Sequence, residues 1–204
     1  YYVKGTTSSG TEIFHVKEFY RVRYSGGRSY LLGFQRTMEA TFDEKMASVN
    51  KNQLKLGITQ DTDMDLLTSE DGKMLYFARN GILYRYDMNK GQNKLHEVYR
   101  HFTKDAADIY TLNDENAIRI NKLDEDGNLY FTVYGYIARG QYEGKVAVVL
   151  YRYNAADDKL EEVVYLPMDS TYQQLKEDFN PYSYVNSNNV YYLIVGNIIY
   201  SYNI

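Results

Sequence analysis

Histidine, the commonest side-chain metal ligand, is scarce in this sequence. The three histidines are His15, His96 and His101, and the first two fall on segments whose pattern predicts strands. A zinc site needs three or four converging ligands, so these positions favour exposed or hydrogen-bonded histidines over a metal centre. The chain has no cysteine, which excludes disulfides, thiolate catalysis and cysteine-ligated zinc.

Two runs of alternating oxygen-bearing side chains resemble the opening of a calcium-binding loop. They are Asp61, Asp63 and Asp65, and Asp124, Asp126 and Asn128. The first run has Leu66 where such a loop requires glycine, and neither run has the glutamate expected at the last ligand position. In the second run, Asp126-Gly127 is also a hairpin-turn signal. We therefore expect no metal site in this chain.

Motifs that mark common active sites are missing from the sequence. It has no Gly-x-Ser-x-Gly nucleophile elbow, no Walker loop and no dinucleotide-binding glycine pattern. Its 27 acidic residues include no pair that a motif identifies as glycosidase carboxylates. The sialidase Asp-box needs tryptophan, which the chain lacks. We assign no catalytic residue and no cofactor; the sequence favours a non-catalytic role without deciding the question.

A tyrosine-rich segment is the strongest candidate for ligand binding. Tyr134, Tyr136, Arg139 and Tyr142 fall together in a long connection between two predicted strands, residues 134–146. Tyrosine and arginine are frequent anchors of interfaces, and tyrosine rings also stack on sugars. We expect a protein, peptide or glycan ligand here. The alternative is that these tyrosines pack on the neighbouring part of the protein.

A repeated β-sheet unit would position these residues. Met74 to Met88, MLYFARNGILYRYDM, aligns without a gap with Val190 to Ile204, VYYLIVGNIIYSYNI. A third copy is split between LYF at residues 129–131 and LYRYN at residues 150–154, and a fainter copy opens the chain with YYV and EIFHVK. The chain contains 24 tyrosines, a residue that favours strands, so composition also predicts a β-protein.

Each unit has the pattern of four antiparallel strands joined by tight turns. Around the first copy, DMDLLTS predicts the first strand, LYF the second, ILYRYD the third and KLHEVY the fourth. Asn80-Gly81 is a strong signal for a two-residue turn, because glycine adopts positive φ without steric cost. Four such strands make one blade of a β-propeller.

The run SEDGKMLYF…GILYRYDMNKGQNKL, residues 69–95, resembles the repeats of TolB-like and prolyl-oligopeptidase-type β-propellers. Those repeats read Ser-Pro-Asp-Gly-Lys, a tyrosine-containing strand, Leu-Tyr-x-Tyr-Asp, and then a glycine followed by Lys-Leu. Glu70 stands where they have proline. The match is good over residues 63–99 and partial over residues 116–165. The resemblance implies an architecture and no particular function, because such repeats occur in enzymes, transport accessories and binding scaffolds.

We therefore predict an all-β chain of about three to four four-stranded propeller blades. The blade-like units fall near residues 1–35, 61–100, 116–166 and 182–204. Both ends supply the same middle strands of a blade, which predicts an incomplete ring; a closed four-bladed ring is the alternative. Short helical insertions are expected near residues 41–52, with an irregular strand pair as the alternative, and near residues 170–179.

Composition narrows the function. The formal net charge of −4 argues against nucleic-acid binding, which needs a basic face, and no apolar run in the sequence is long enough to predict a membrane span. Some bacterial proteins that are exported across a single membrane avoid cysteine. We expect an extracytoplasmic, non-catalytic module that binds a protein, peptide or glycan at one rim. Two alternatives stay open: the propeller part of a larger hydrolase, and a structural or sensor ectodomain of a membrane-anchored protein.

Overall fold

The computed structural model of the chain is built mainly from antiparallel β-strands, with one short helix in the part that it describes. The described residues are 1–7, 10–40, 42, 49–50, 53–54, 56, 64–88, 94–101, 115–138, 140–179 and 182–204. They fall into two compact units, Tyr1–Asp63 and Met64–Ile204, and each unit is described by itself. The prediction of an all-β protein is confirmed.

The first unit is dominated by one long hairpin. Its strands are β1 (Tyr2–Thr7), β2 (Gly10–Ser25), β3 (Arg28–Ala40), β4 (Val49–Asn50) and β5 (Gln53–Leu54). The first three form an antiparallel sheet in the order β1-β2-β3, and β4 pairs with β5. Gly26 and Gly27 join β2 to β3 with φ of 59° and 75°, values that glycine adopts readily in a two-residue turn. Pairing of β2 with β3 extends from the turn to Phe14↔Ala40.

Most of the helical insertion expected near residues 41–52 lies outside the described residues. Val49 and Asn50, the last residues of this segment that the structure describes, form β4. This strand pairs antiparallel with β5 through Val49↔Leu54 and Asn50↔Gln53. The backbone at these two positions is extended and not helical. There the chain adopts a strand pair, the alternative that the sequence left open.

The second unit contains three antiparallel sheets that follow one another along the chain. The first has strands β6 (Leu66–Thr68), β7 (Met74–Arg79), β8 (Ile82–Asp87) and β9 (Lys94–Arg100). The second has β10 (Asn116–Leu123), β11 (Asn128–Tyr136), β12 (Val146–Asn154) and β13 (Lys159–Pro167). After helix α1 (Tyr172–Phe179), the third has β14 (Tyr184–Val185), β15 (Val190–Val195) and β16 (Ile198–Asn203). Spatial order within each sheet follows sequence order.

Local sequence signals set the hairpins of this unit. Asn80 and Gly81 have φ of 51° and 70° between β7 and β8, as in the type I′ turn that an Asn-Gly pair favours. Gly196 and Asn197, with φ of 56° and 64°, connect β15 to β16 in the same way. The two stretches that align in sequence are therefore equivalent hairpins in the structure.

The first and second sheets share the same strand order and the same irregularity in the pairing of their third and fourth strands. The register of β8 with β9 shifts between Leu83 and Tyr84, and that of β12 with β13 shifts between Leu150 and Tyr151. These positions coincide when ILYRYD of β8 is aligned with VLYRYN of β12. A bulge at the same place bends both outer strands alike, so β9 and β13 are equivalent fourth strands.

The second sheet is buried on both faces, because it packs between the other two. One face forms a core cluster with the first sheet: Tyr76, Leu83, Leu129, Phe131, Val133 and Tyr153. The other face forms a core cluster with α1 and the third sheet: Tyr130, Tyr134, Val148, Leu150, Leu175, Val185, Tyr191, Leu193 and Val195. Successive side chains of β11 thus point in turn to the first sheet and to the third, because successive side chains of a strand lie on opposite faces.

Hydrogen bonds also tie neighbouring sheets together. Arg85 Nη1 donates to the Tyr153 hydroxyl at 2.8 Å, and the Ile120 N–H donates to Asp65 Oδ2 at 2.9 Å. The first strand of the second sheet, β10, contacts the first strands of both other sheets, β6 and β14. The three sheets therefore meet along one edge as well as face to face.

Helix α1 lies where the sequence predicts a short helix, near residues 170–179, and it begins at a capping box. The Gln174 side chain accepts the Thr171 N–H at 2.9 Å, and the Gln174 N–H donates to Thr171 Oγ1 at 3.4 Å. Leu175 is fully buried against β11 and β15, and this contact fixes the helix on the unit. No helix among the described residues has the length and hydropathy of a membrane span.

Candidate binding surface

The tyrosine-rich connection does not form an exposed cluster. Tyr134 is only 1% exposed and lies in the core that joins the second and third sheets. Its ring is tilted against that of Tyr172, with centroids 6.2 Å apart. Burial of this depth removes Tyr134 from any ligand-contacting surface.

Tyr136 and Tyr142 are half-buried and engaged by their own sheet. The Tyr136 N–H donates to the Glu115 carbonyl at 2.7 Å. The Tyr142 ring stacks on Tyr165 of β13 with centroids 3.5 Å apart, and its hydroxyl donates to Glu162 Oε1 at 2.7 Å. That hydrogen bond raises the pKa of Tyr142 to about 12. The connection thus folds back onto its sheet.

Arg139, the fourth member of the predicted cluster, lies outside the described residues. The structure separates Tyr134, in the core, from Tyr142, whose ring packs against the outer strand β13. The sequence could not tell these environments apart, because both faces of β11 are covered and alternation gives no exposed side. Binding at Tyr136 and Tyr142 stays a prediction, and Tyr134 drops out of it.

The histidines of the second unit have structural partners. His96 Nε2 lies 2.9 Å from Asp158 Oδ1. His101 is buried, and its Nε2–H donates to the Tyr136 carbonyl at 2.9 Å while Nδ1 lies 3.3 Å from the Tyr99 hydroxyl. Burial lowers the pKa of His101. The ring therefore favours its neutral form, which matches one N–H donor and one acceptor.

The acidic runs also have structural roles where they are described. Asp124 Oδ1 accepts a hydrogen bond from the Asn128 N–H at 2.7 Å, which closes the turn between β10 and β11. Asp65 accepts a hydrogen bond from the Ile120 N–H of β10. Asp61 and Asp63 lie outside the described residues. Within the described part of the chain, no group of three histidine or acidic side chains is arranged to hold a metal ion.

A polar cavity of about 250 Å³ lies over the end of the second sheet near the β12–β13 turn. It is lined by Asn128, Arg152, Asn154, Asp157, Lys159 and Glu161. Glu161 pairs with both Arg152 and Lys159. The lining charges balance, so the cavity has no marked preference for an anion or a cation.

Many of the exposed large apolar side chains in the described part of the chain lie on the long hairpin of β2 and β3. Among the residues that the structure describes, 20 large hydrophobic side chains are exposed, and 13 of them belong to residues 1–38. Five of them form what we call the hairpin stripe: Tyr20, Val22, Tyr24, Leu31 and Phe34, which are 53%, 63%, 74%, 59% and 48% exposed. Sequence patterning did not single out this surface, because an apolar strand residue carries no mark of whether anything covers it.

The hairpin stripe lies on one face of the β2–β3 ladder. Tyr20 is opposite Phe34 and Val22 is opposite Leu31, and alternation along β2 places Tyr24 on the same face. The rings of Tyr20 and Phe34 have centroids 5.0 Å apart. Directly opposed side chains of this kind form one continuous apolar surface.

A charged cluster adjoins the hairpin stripe on the same face. Glu18 Oε2 accepts a hydrogen bond from the Tyr20 hydroxyl at 2.6 Å. Its Oε1 accepts hydrogen bonds from the Tyr1 hydroxyl at 2.9 Å and from Arg36 Nε at 2.7 Å. These hydrogen bonds lower the pKa of Glu18, and the hydrogen bond from Tyr20 has the largest effect. The Arg36 guanidinium also lies 5.4 Å from the centre of the Phe34 ring. The apolar stripe is thus bordered by oriented polar groups.

Comparison with protein-family models gave no match, and comparison with curated proteins gave no match either. The function is therefore inferred from the geometry of the surface itself.

Proposed function

We propose that this chain is a non-catalytic, β-propeller-type module that binds a protein partner through the hairpin stripe. The observation that carries the proposal is the exposure of five large apolar side chains on one face of one hairpin. Contiguous apolar surface with a polar border is typical of protein interaction sites. The stripe replaces the tyrosine-rich connection as the preferred surface.

The composition of the surface indicates a protein partner. Three of the five stripe residues are tyrosine or phenylalanine, and Arg36 borders them. Aromatic residues and arginine dominate the binding energy of protein interfaces. β1 pairs with β2 only as far as His15, so the rest of the β2–β3 hairpin is two-stranded. A two-stranded hairpin is only marginally stable in water, and a bound partner would stabilise it by covering the stripe.

The propeller class and the location are part of the same proposal. Support for a propeller comes from three successive sheets that pack face to face in chain order and whose first strands are adjacent. The resemblance of residues 69–95 to TolB-like repeats points the same way. Lack of cysteine supports an extracytoplasmic location in a bacterium.

The test begins by placing a photo-crosslinking amino acid at Tyr24 to identify the partner in the cells that produce the protein. Binding of the purified partner is then measured for a Val22→Ser, Leu31→Ser double variant and for a Phe19→Ser control. Phe19 is 64% exposed but lies on the opposite face of β2. We expect the double variant to weaken binding at least about tenfold, as loss of interface anchors does, and the control to bind normally. Equal affinity of the double variant and the wild type would overturn the proposal.

A further inference from the structure

Two tyrosines of the second sheet are in direct contact, ring against ring. Tyr142, in the connection between β11 and β12, stacks on Tyr165 of β13 with ring centroids 3.5 Å apart and ring planes within 9° of parallel. This separation is van der Waals contact between carbon atoms. A second stacked pair, Tyr184 and Tyr192, has centroids 5.3 Å apart. The Tyr142 and Tyr165 rings are therefore held at a distance from which a bond between them can form directly.

The Tyr142 hydroxyl has a proton acceptor beside it. It donates a hydrogen bond to Glu162 Oε1 at 2.7 Å, a distance suited to proton transfer from a hydroxyl to a carboxylate. Because this hydrogen bond raises the pKa of Tyr142 to about 12, the phenol keeps its proton at neutral pH. Loss of an electron from the ring must therefore be accompanied by loss of that proton, and Glu162 is placed to take it.

Oxidants can reach this pair from solvent. Tyr142 and Tyr165 are half-buried, and Glu162 is exposed. Tyr134, in contrast, is only 1% exposed. The chain has no cysteine, so no thiol of its own competes for an oxidant, as reactive cysteines do. Contact, proton acceptor and access thus coincide at one pair of phenols.

We propose that Tyr142 and Tyr165 are a site of oxidative cross-linking, at which a haem peroxidase and hydrogen peroxide couple the two rings into dityrosine. Tyr142 gives one electron to the oxidant and its hydroxyl proton to Glu162, and Tyr165 gives a second electron to the oxidant and its hydroxyl proton to solvent. The two radicals form one carbon–carbon bond between ring carbons adjacent to the hydroxyl-bearing carbons. The hydrogens on those carbons then move through solvent to the phenolic oxygens. Two tyrosines and one hydrogen peroxide thereby give one dityrosine and two waters.

The cross-link would fix the connection between β11 and β12 to the outer strand β13. It closes a loop that contains the whole of β12, and a covalent link between distant residues restricts the unfolded chain. We expect the melting temperature to rise by several degrees on cross-linking. The site belongs to the second unit and does not depend on the hairpin stripe.

The first experiment treats the whole purified chain with a haem peroxidase and limiting hydrogen peroxide at several protein concentrations, followed by trypsin digestion and mass spectrometry. The expected product joins the peptides Gly140–Lys145 and Leu160–Lys176, is two hydrogens lighter than their sum, and has fragment ions that place the link at Tyr165 and not at Tyr172. Because the rings already touch, the yield per chain should not change with protein concentration. Absence of this product would overturn the proposal. So would a yield that rises in proportion to concentration, because it would show that rings of different molecules couple.

Three variants separate the roles of the groups. Tyr142→Phe and Tyr165→Phe each keep a stacked ring but lack one hydroxyl, and each should abolish the product and the rise in melting temperature. Glu162→Gln keeps a hydrogen-bond acceptor but removes the carboxylate, so we expect the cross-linking rate to fall at least about tenfold and to rise with pH as buffer bases take the proton. An unchanged rate in Glu162→Gln would refute the proton transfer. Tyr184 and Tyr192 serve as the internal reference, and a cross-link there in equal yield would overturn the assignment to the pair in contact.

Discussion

Replacement of Gly135 by alanine provides the sharpest test of the packing between the second sheet and α1. Gly135 has φ of +113°, a conformation that residues with a side chain rarely adopt. A Cβ atom there would lie 2.3 Å from the Glu115 carbonyl oxygen, 2.8 Å from the Asn116 Cα and 2.8 Å from the Tyr172 ring. Two of these three atoms belong to the backbone, so rotation of a side chain cannot relieve the overlap.

The expected cost follows from two contributions. Forcing a non-glycine residue into positive φ costs about 1–2 kcal/mol, and overpacking a buried site adds about 1–3 kcal/mol. Gly140→Ala is the matched control, because Gly140 also has positive φ, 86°, but a Cβ there would meet no atom within 4 Å. The control therefore carries the conformational cost without the steric one.

Urea denaturation followed by circular dichroism gives the free energy of unfolding of both variants. We expect Gly135→Ala to lose roughly 3–4 kcal/mol and Gly140→Ala to lose about 1 kcal/mol. In Gly135→Ala we also expect faster native-state hydrogen exchange of the β10 and β11 amides, because the overlap lies between these strands. Equal losses for the two variants would refute the reasoning, since they would show that Glu115 and Tyr172 do not crowd position 135.

Three further predictions concern buried groups of the second unit. Thr132→Val should cost about 1–2 kcal/mol, because it removes the 3.0 Å hydrogen bond to the buried Tyr191 hydroxyl and the 2.7 Å hydrogen bond to Asn121 Oδ1. Tyr191→Phe should cost less, about 0.5–1.5 kcal/mol, because Thr132 keeps its hydrogen bond to Asn121; the double variant in a denaturant cycle should cost less than the sum, and additivity would deny the coupling. Leu175→Ala should destabilise the protein by about 2–5 kcal/mol, measured by the same denaturation; a loss below about 1 kcal/mol would mean that α1 does not belong to this core. Because the folded pKa of His101 is lowered from 6.5, its contribution to stability is present above that value and is lost as pH falls below it. His101→Gln should flatten this dependence in urea titrations at about pH 7 and pH 5, and an unchanged slope would exclude His101 as its source.

The hairpins of the second unit could be predicted because their signals are local. Asn80-Gly81 fixes a turn by its backbone preference alone, and the strands on either side repeat the same tyrosine pattern. The equivalence of β7–β8 and β15–β16 needed no information about distant residues.

The binding surface could not be predicted in the same way, because exposure is a property of the assembled sheets. Tyr134 and Tyr24 are the same residue type and both lie on strands, yet one is 1% and the other 74% exposed. The difference arises because α1 and the third sheet cover Tyr134. The charged residues of β2 and their absence from β11 agree with this difference, but the sequence of a strand does not say which element will cover it.

The double burial of β11 also governs how damage spreads through the unit. In a stack of sheets, stability is approximately a sum of terms for each sheet and for each interface between neighbours. Substitution of Tyr130 weakens the interface with the third sheet, and substitution of Phe131 weakens that with the first. Substitutions at two adjacent positions of β11 thus affect two different interfaces between sheets. Loss of β11 itself would remove the packing that connects the first sheet to the third.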